Sequence, residues 1–510
     1  MPAPSAAPPP SEAAKTRFVL KSVVIDGSTV YQTGDLAGLY SRLLGREVSL
    51  LDIYTLRDSI TTKYRADGFV LSQAIIPPQQ ITDGVVHLQV IEGYVAKVTV
   101  EGSVNDRRGL IKRLAEKIER SRPARLRDLE RYVLLIGDLP GIEVNTVLRP
   151  SPDQPGASDL IVLVRREPLS VRAEADNRGS RAIGPEQFSG EIDANGVLGI
   201  DEQIAFEGAT VAPTRELQFL SVRYDEILSA EGLRLSVSAS ASRAHPEGAI
   251  APLNAFGRDQ TYTIRLSEPV IRSRSHTLAL GASLTELNSK TDLLGVLFSE
   301  DRLRIAAVDA SYDFADTWAG DTLPATSLVR GAVSRGLDVL SATKTGSPNL
   351  SRANGRSDFT KLNIDVTRVQ TMTPRWSVAL AATGQASGDA LLSSQQFGLG
   401  GARFGRGYEP SELTGDQGAA GSIEARYSPN AWPRLSPQLY GFYEAGIVWL
   451  NAPLPGERSG ESLASAGLGF RFSLARHLTA EFEVAKPLTR DVASRGNRDA
   501  RPLFAISTNF

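Results

Sequence analysis

The chain has no cysteine in its 510 residues. That excludes disulfide frameworks, thiolate zinc sites, iron–sulfur clusters and cysteine nucleophiles. Histidine is scarce too. His87, His245, His276 and His477 are the full set, too dispersed for a motif-type metal site. Neither sign of charge dominates: 56 Lys and Arg face 58 Asp and Glu, a net charge of -2, so no chain-wide nucleic-acid footprint is expected. No apolar run is long enough for a transmembrane helix. That absence leaves a barrel open, because barrel strands cross the bilayer in short alternating segments that hydropathy barely registers. Met1–Thr16, rich in Pro and Ala, has no apolar core for a signal peptide and reads as a disordered arm.

From Arg17 onward a module of order β-α-α-β-β occupies residues 17–93. Phe18–Asp26 is a strand. Leu36–Leu44 and Leu50–Tyr64 are helical, with Leu51, Tyr54, Ile60 and Tyr64 as the expected buried stripe. Val70–Ile76 and Val85–Ile91 are strands. The order then recurs over residues 94–167. Val95–Val100 is a strand, Arg107–Arg120 and Leu126–Ile136 are helices, and Val144–Leu148 and Leu160–Val164 are strands joined by a polar hairpin at Pro150–Gly156. Leu110, Leu114 and Ile118 share one helix face. Arg107–Arg131 holds ten Lys and Arg against four Asp and Glu. This is either a solvated helix face or a steering surface for a client chain or anionic headgroups, with Arg107, Arg113, Lys117, Arg125 and Arg131 as candidates.

Residues 168–510 lose the helical period and read as segments of about ten residues with period two. Along Leu463–Leu474, Ala464, Ala466, Leu468, Phe470, Phe472 and Leu474 form one face, and Ser465, Gly467, Gly469, Arg471 and Ser473 the other. A soluble sandwich alternates as well. Full charges on the polar face suit a wet lumen better, and the length accommodates about sixteen strands. Closure also removes the edges that so many strands would otherwise expose. The expected fold is therefore two small α+β modules followed by an all-β, antiparallel transmembrane barrel.

Four strings stand out: Gly68–Gly93, Asp176–Ser180 with Asp193–Gln203, Gly384–Gln385 with Phe397–Tyr408, and Phe442–Gly446. Together they resemble the outer-membrane transporters of two-partner secretion, the haemolysin secretion/activation branch of the superfamily that also holds barrel-assembly insertases. The resemblance covers Arg17 to Phe510. It implies two periplasmic POTRA modules, a sixteen-stranded barrel, and a loop folded into the lumen. At that loop's tip Arg406, Gly407 and Tyr408 match the family tripeptide, with Arg406 reaching an acidic residue in the strand motif Phe442, Glu444 and Gly446. Period two along Leu439–Trp449 independently turns Phe442, Glu444, Gly446 and Val448 inward. Two positions depart from the family pattern. Glu444 stands where Asp is usual, which implies a slightly different seat for the loop. Gly405 replaces the usual Val, which implies one looser packing contact. The sixteen residues before the first module are short for the plug helix and linker of some relatives.

The resemblance implies a pore that carries an unfolded exoprotein across the outer membrane without nucleotide hydrolysis. Its partner would be a haemagglutinin- or haemolysin-like protein with an N-terminal secretion domain, and its lipid that of a Gram-negative outer membrane. The alternatives are a barrel-assembly factor and a passive porin. No phosphate-binding, nucleophile-elbow or zinc motif occurs, so neither enzyme, cofactor, metal nor nucleic-acid partner is expected. The scattered carboxylates Glu424, Glu481 and Glu483 are expected to face water or to pair with Arg426 and Arg471.

Overall fold

The computed structural model describes residues 13–102, 106–154, 156–318, 322–429, 435–474 and 477–510. Most of the arm expected over residues 1–16 lies outside them. Its described end is packed rather than loose: Ala13 is fully buried, and the Thr16 carbonyl accepts the Leu50 amide. The chain divides into two compact units, Met1–Arg166 and Glu167–Phe510, one residue ahead of the expected boundary.

In the first unit, the strand expected over Phe18–Asp26 is two strands. Arg17–Val19 pairs with Glu47–Ser49, while Ser22–Asp26 runs parallel to Val85–Ile91, which is flanked on its far side by Gln73–Ile75. The break falls where buried Leu20 exchanges backbone bonds with Gly45 and Arg46 and Lys21 turns to Gly84. Helix α1 (Thr33–Tyr40) and helix α2 (Leu50–Ala66) cover the sheet. A reciprocal cap between Ser49 and Asp52 fixes where α2 starts. That phase turns Ile53, Leu56, Ile60 and Tyr64 onto the core. Leu51 stays exposed and Tyr54 half-buried, so the expected stripe was one residue out of phase at its start.

The same order recurs in the next segment. Tyr94–Gly102 runs parallel to Ala157–Arg166, and Ile142–Pro150 closes the sheet as an antiparallel edge. Helices α3 (Leu110–Arg120) and α4 (Leu126–Gly137) pack on it, burying Leu110, Leu114 and Ile118 as read from their spacing. Helix α3 begins three residues later than expected, leaving Arg107 in the preceding turn.

The second unit is a closed barrel of sixteen antiparallel strands, from Leu169–Asp176 to Arg501–Asn509, each bonded to its neighbours in sequence. Alternation sorts its faces. In Arg234–Ala244, Val237 points outward while Ser236 and Ser242 reach Asp225 and Asp259 on adjoining strands. Leu280, Leu284, Val308 and Leu468 belong to an exposed apolar exterior. Inside, Arg265 pairs with Asp309, and Arg223 with Asp225 and Glu191.

Candidate functional site

Between the strands Trp376–Ser387 and Gln417–Tyr427 the chain makes a long excursion, stiffened by a two-stranded ribbon of Phe397–Leu399 and Leu413–Gly415. Its tip carries Arg406, which is buried among strand side chains of the barrel interior. The Glu444 carboxylate accepts the Gly405 amide at 2.7 Å, the Arg406 amide at 2.9 Å and the Arg406 Nε at 2.7 Å. Ser465 adds a hydroxyl at 3.1 Å. The expected pairing is present, and Phe442 lies beneath it, its ring centroid 3.4 Å from the guanidinium carbon.

The other two letters of each motif are also placed. Tyr408 is fully buried with Leu399, Phe404, Leu413 and Leu463. Its hydroxyl donates to the Ala464 carbonyl and accepts the amides of Thr489 and Arg490. Its own carbonyl accepts from the Arg501 guanidinium. Gly407 lies against the Lys486–Pro487 backbone, and Gly446 leaves room for Leu399, which would stand 2.6 Å from any Cβ there. Gly405 corrects the sequence reading. It adopts φ +89°, and a Cβ would approach Leu463 to 2.9 Å, so glycine here tightens the tip rather than loosening it.

Sequence reasoning saw one partner for Arg406, and the structure supplies three. Its Nη1 also reaches Glu424 at 3.2 Å and Glu483 at 3.1 Å. From there the charges alternate around a ring. Glu424 meets Arg471, Arg471 meets Glu481, Glu481 meets Arg178, and Arg178 returns to Glu483. Arg426 attaches to Glu424, and the Tyr440 hydroxyl lies within bonding distance of both Glu481 and Glu483. The expected pairing of these carboxylates with Arg426 and Arg471 is present, at Glu424 and Glu481, and through Arg406 the same group also seats the loop. Only barrel closure brings strands distant in sequence around one guanidinium.

A second anchor was not expected at all. Asp416, fully buried at the loop's returning stem, accepts Arg352 at 2.5 Å, the Leu391 amide at 2.7 Å and the Asn451 amide at 2.6 Å. One carboxylate thus joins three separate connections between strands. No sequence motif marks it, because its partners lie 25 to 64 residues away.

In the first unit, the Gly68–Gly93 string and α2 together build a groove of about 640 Å³ lined by Ile53, Tyr54, Ile75, Pro77, Pro78 and Ile81. Gln79 fixes its rim by bonding both backbone groups of His87. The Glu92 carboxylate accepts the Thr29 amide and hydroxyl, the Val30 amide and the Tyr64 hydroxyl. Burial opposes its charge, but those donors outweigh it and hold the carboxyl below the usual glutamate range. The basic candidates are dispersed: Arg113 donates to the Arg108 carbonyl, Arg125 stacks on Phe69, and Arg107, Lys117 and Arg131 each engage a partner.

A charge-lined, closed barrel with an apolar exterior and an infolded loop defines an outer-membrane pore. The sequence pattern of the haemolysin secretion/activation protein family (ShlB/FhaC/HecB) matches residues 156–472, and that of the ShlB-type POTRA domain matches residues 18–93. The chain belongs to this family. It is a two-partner secretion transporter of the outer membrane with an N-terminal, periplasmic POTRA region. Among relatives, the heme/hemopexin transporter protein HuxB of Haemophilus influenzae (strain 86-028NP) is 23% identical over 472 residues, 90% of this chain and 81% of its own length. The outer membrane transporter CdiB of Dickeya dadantii is 24% identical over 410 residues, 79% of this chain and 71% of its own. The solved structure of CdiB from Escherichia coli shares the fold, with a TM-score of 0.77 at 19% identity over 100% of this chain and 92% of that one. The assembly-factor reading is not favoured.

Proposed function

We propose that the client is an unfolded exoprotein with an N-terminal secretion domain, gripped by the first unit and passed through the barrel without nucleotide hydrolysis. The observation that carries this is the edge strand Ile142–Pro150, exposed from Asn145 onward, with Val147 and Leu148 open and the exposed Leu163 opposite Asn145 on the neighbouring strand. Such an edge adds a client strand through backbone bonds. The corresponding edge Gln73–Ile75 is less available, since the Ala74 amide already donates to the Thr61 hydroxyl. Its groove instead suits apolar client side chains. Arg107, Arg113, Lys117, Arg125 and Arg131 supply long-range attraction for an acidic client segment.

The test is export of the client by a transporter lacking residues 17–166, and by full-length variants with proline at Val147 or Leu148. Because adjacent residues of a strand point their amides in opposite directions, one of the two prolines removes an outward donor. Export is expected to be lost in the deletion and cut in one proline variant, with the barrel still inserted. Normal export by the barrel alone would end this reading.

A further inference from the structure

The ladder that closes the barrel is short. Ala505–Asn509 of the last strand face Arg172–Asp176 of the first, and Val171 and Phe510 exchange two backbone bonds at one end. The last strand begins at Arg501, yet the first strand ends at Asp176. There the chain turns away, because the Asp176 carboxylate accepts the Arg178 amide at 2.7 Å. Polar backbone in a membrane barrel wall is costly to leave unpaired, and the residue that follows the turn meets this need. The Asn177 amide donates to the Phe504 carbonyl. Its Oδ1 accepts the Phe504 amide at 2.8 Å, and its Nδ2 donates to the Pro502 carbonyl at 3.1 Å. One carboxamide thereby continues the ladder past the point where the strand has stopped.

Arg178 then crosses over the last strand. Its Nη2 lies 3.0 Å from Glu481 and 3.2 Å from Glu483, both on the penultimate strand, and Glu483 is a partner of Arg406. Gly179 permits this path, since a Cβ there would stand 2.3 Å from the Gly184 carbonyl. Each residue of the Asp176–Gly179 string therefore has a task.

We propose that Asn177 and Arg178 are positioning residues for transport: they staple the Asp176 end of the closing seam and tie its closure to the ring that seats the inward loop. Loss of Asn177 frees the seam alone, whereas loss of Arg178, which bonds the ring, frees the seam and the loop together.

The experiment is residue-resolved amide hydrogen exchange on the full-length transporter in detergent, paired with client export from cells. Heat-modifiable gel mobility reports that the barrel has folded. Asn177→Ala is expected to raise exchange at Phe504 roughly tenfold, the loss of one hydrogen bond, with the strand Leu478–Pro487 exchanging at the wild-type rate. Arg178→Ala is expected to raise Phe504 exchange as well, although it makes no bond to that residue, and to cut export at least tenfold. Arg178→Lys should recover part of both. Wild-type exchange at Phe504 in Asn177→Ala would overturn the staple. Wild-type export or unchanged Phe504 exchange in Arg178→Ala would overturn its link to transport.

Discussion

Both the backbone and the side chain of Arg406 end on one carboxylate, that of Glu444. The pair is therefore a grip on the loop's main chain as much as an ion pair. Glu444 fixes the turn at Gly405 and Arg406, and the guanidinium, placed over the Phe442 ring, reaches outward to Glu424 and Glu483. Glutamate in place of the family's usual aspartate thus still closes the contact.

The asymmetry of this site predicts unequal mutants. Arg406→Ala leaves Glu444 buried without its cation, a loss on the order of 3–5 kcal/mol for a buried pair broken on one side. Export should fall severely while heat-modifiable gel mobility persists. Glu444→Ala keeps Arg406 with two other carboxylates and should export at an intermediate level. The double mutant should be no worse than Arg406→Ala, because the two groups act as a unit. Arg406→Lys should not rescue, since an ammonium cannot match a planar fork that serves three carboxylates. Client recovered in the medium per folded transporter is the measurement, and additive defects would contradict it.

Gly405 gives a test with the opposite sign to the family pattern. Valine there meets Leu463 and must adopt a left-handed backbone, costing about 1–3 kcal/mol of local strain. Gly405→Val should release the tip and expose it to proteases in the folded barrel. An unaltered digestion pattern with full export would show that the tip tolerates a side chain.

Arg352 and Asp416 form the second anchor. Arg352→Ala leaves a fully buried carboxylate with its two backbone donors but no cation, again roughly 3–5 kcal/mol. The temperature at which the folded gel band disappears should drop, and residues 337–359 should become sensitive to protease. Asp416→Asn, which keeps an acceptor for one amide, should lie between the two. If Arg352→Ala melts with the wild type, the anchor carries no weight.

Glu92 predicts an acid limb in the first unit. Its carboxyl titrates lower in the folded protein than in the unfolded chain, so the folded state binds fewer protons. The stability it contributes is complete above the unfolded glutamate value and is lost as pH falls through the lower folded value. Protection against hydrogen exchange within α2 of the full-length protein, taken relative to the intrinsic amide rate at each pH, should fall across that acidic window. Glu92→Gln should exchange faster at neutral pH and show a flatter dependence. A Gln variant with the wild-type acid limb would assign that limb to another group.

Local pattern determined much of this protein. Alternation over Leu463–Leu474 and Leu439–Trp449 identified inward and outward faces, because a strand has only two, and the strings around Arg406 and Glu444 matched a known pairing. Helix faces were legible where the apolar spacing was clean, as at Leu110, Leu114 and Ile118. They slipped at Leu51 and Tyr54, where the cap at Ser49 set the phase. What the tertiary structure alone decided is which inward residues share a place. Glu424, Glu483, Arg471 and Arg178 come from strands and turns up to 305 residues apart, and Asp416 gathers three connections with no motif between them. Strand direction is local and can be read in the sequence. The meeting of side chains across a lumen depends on barrel closure, register and loop path, which no single segment encodes.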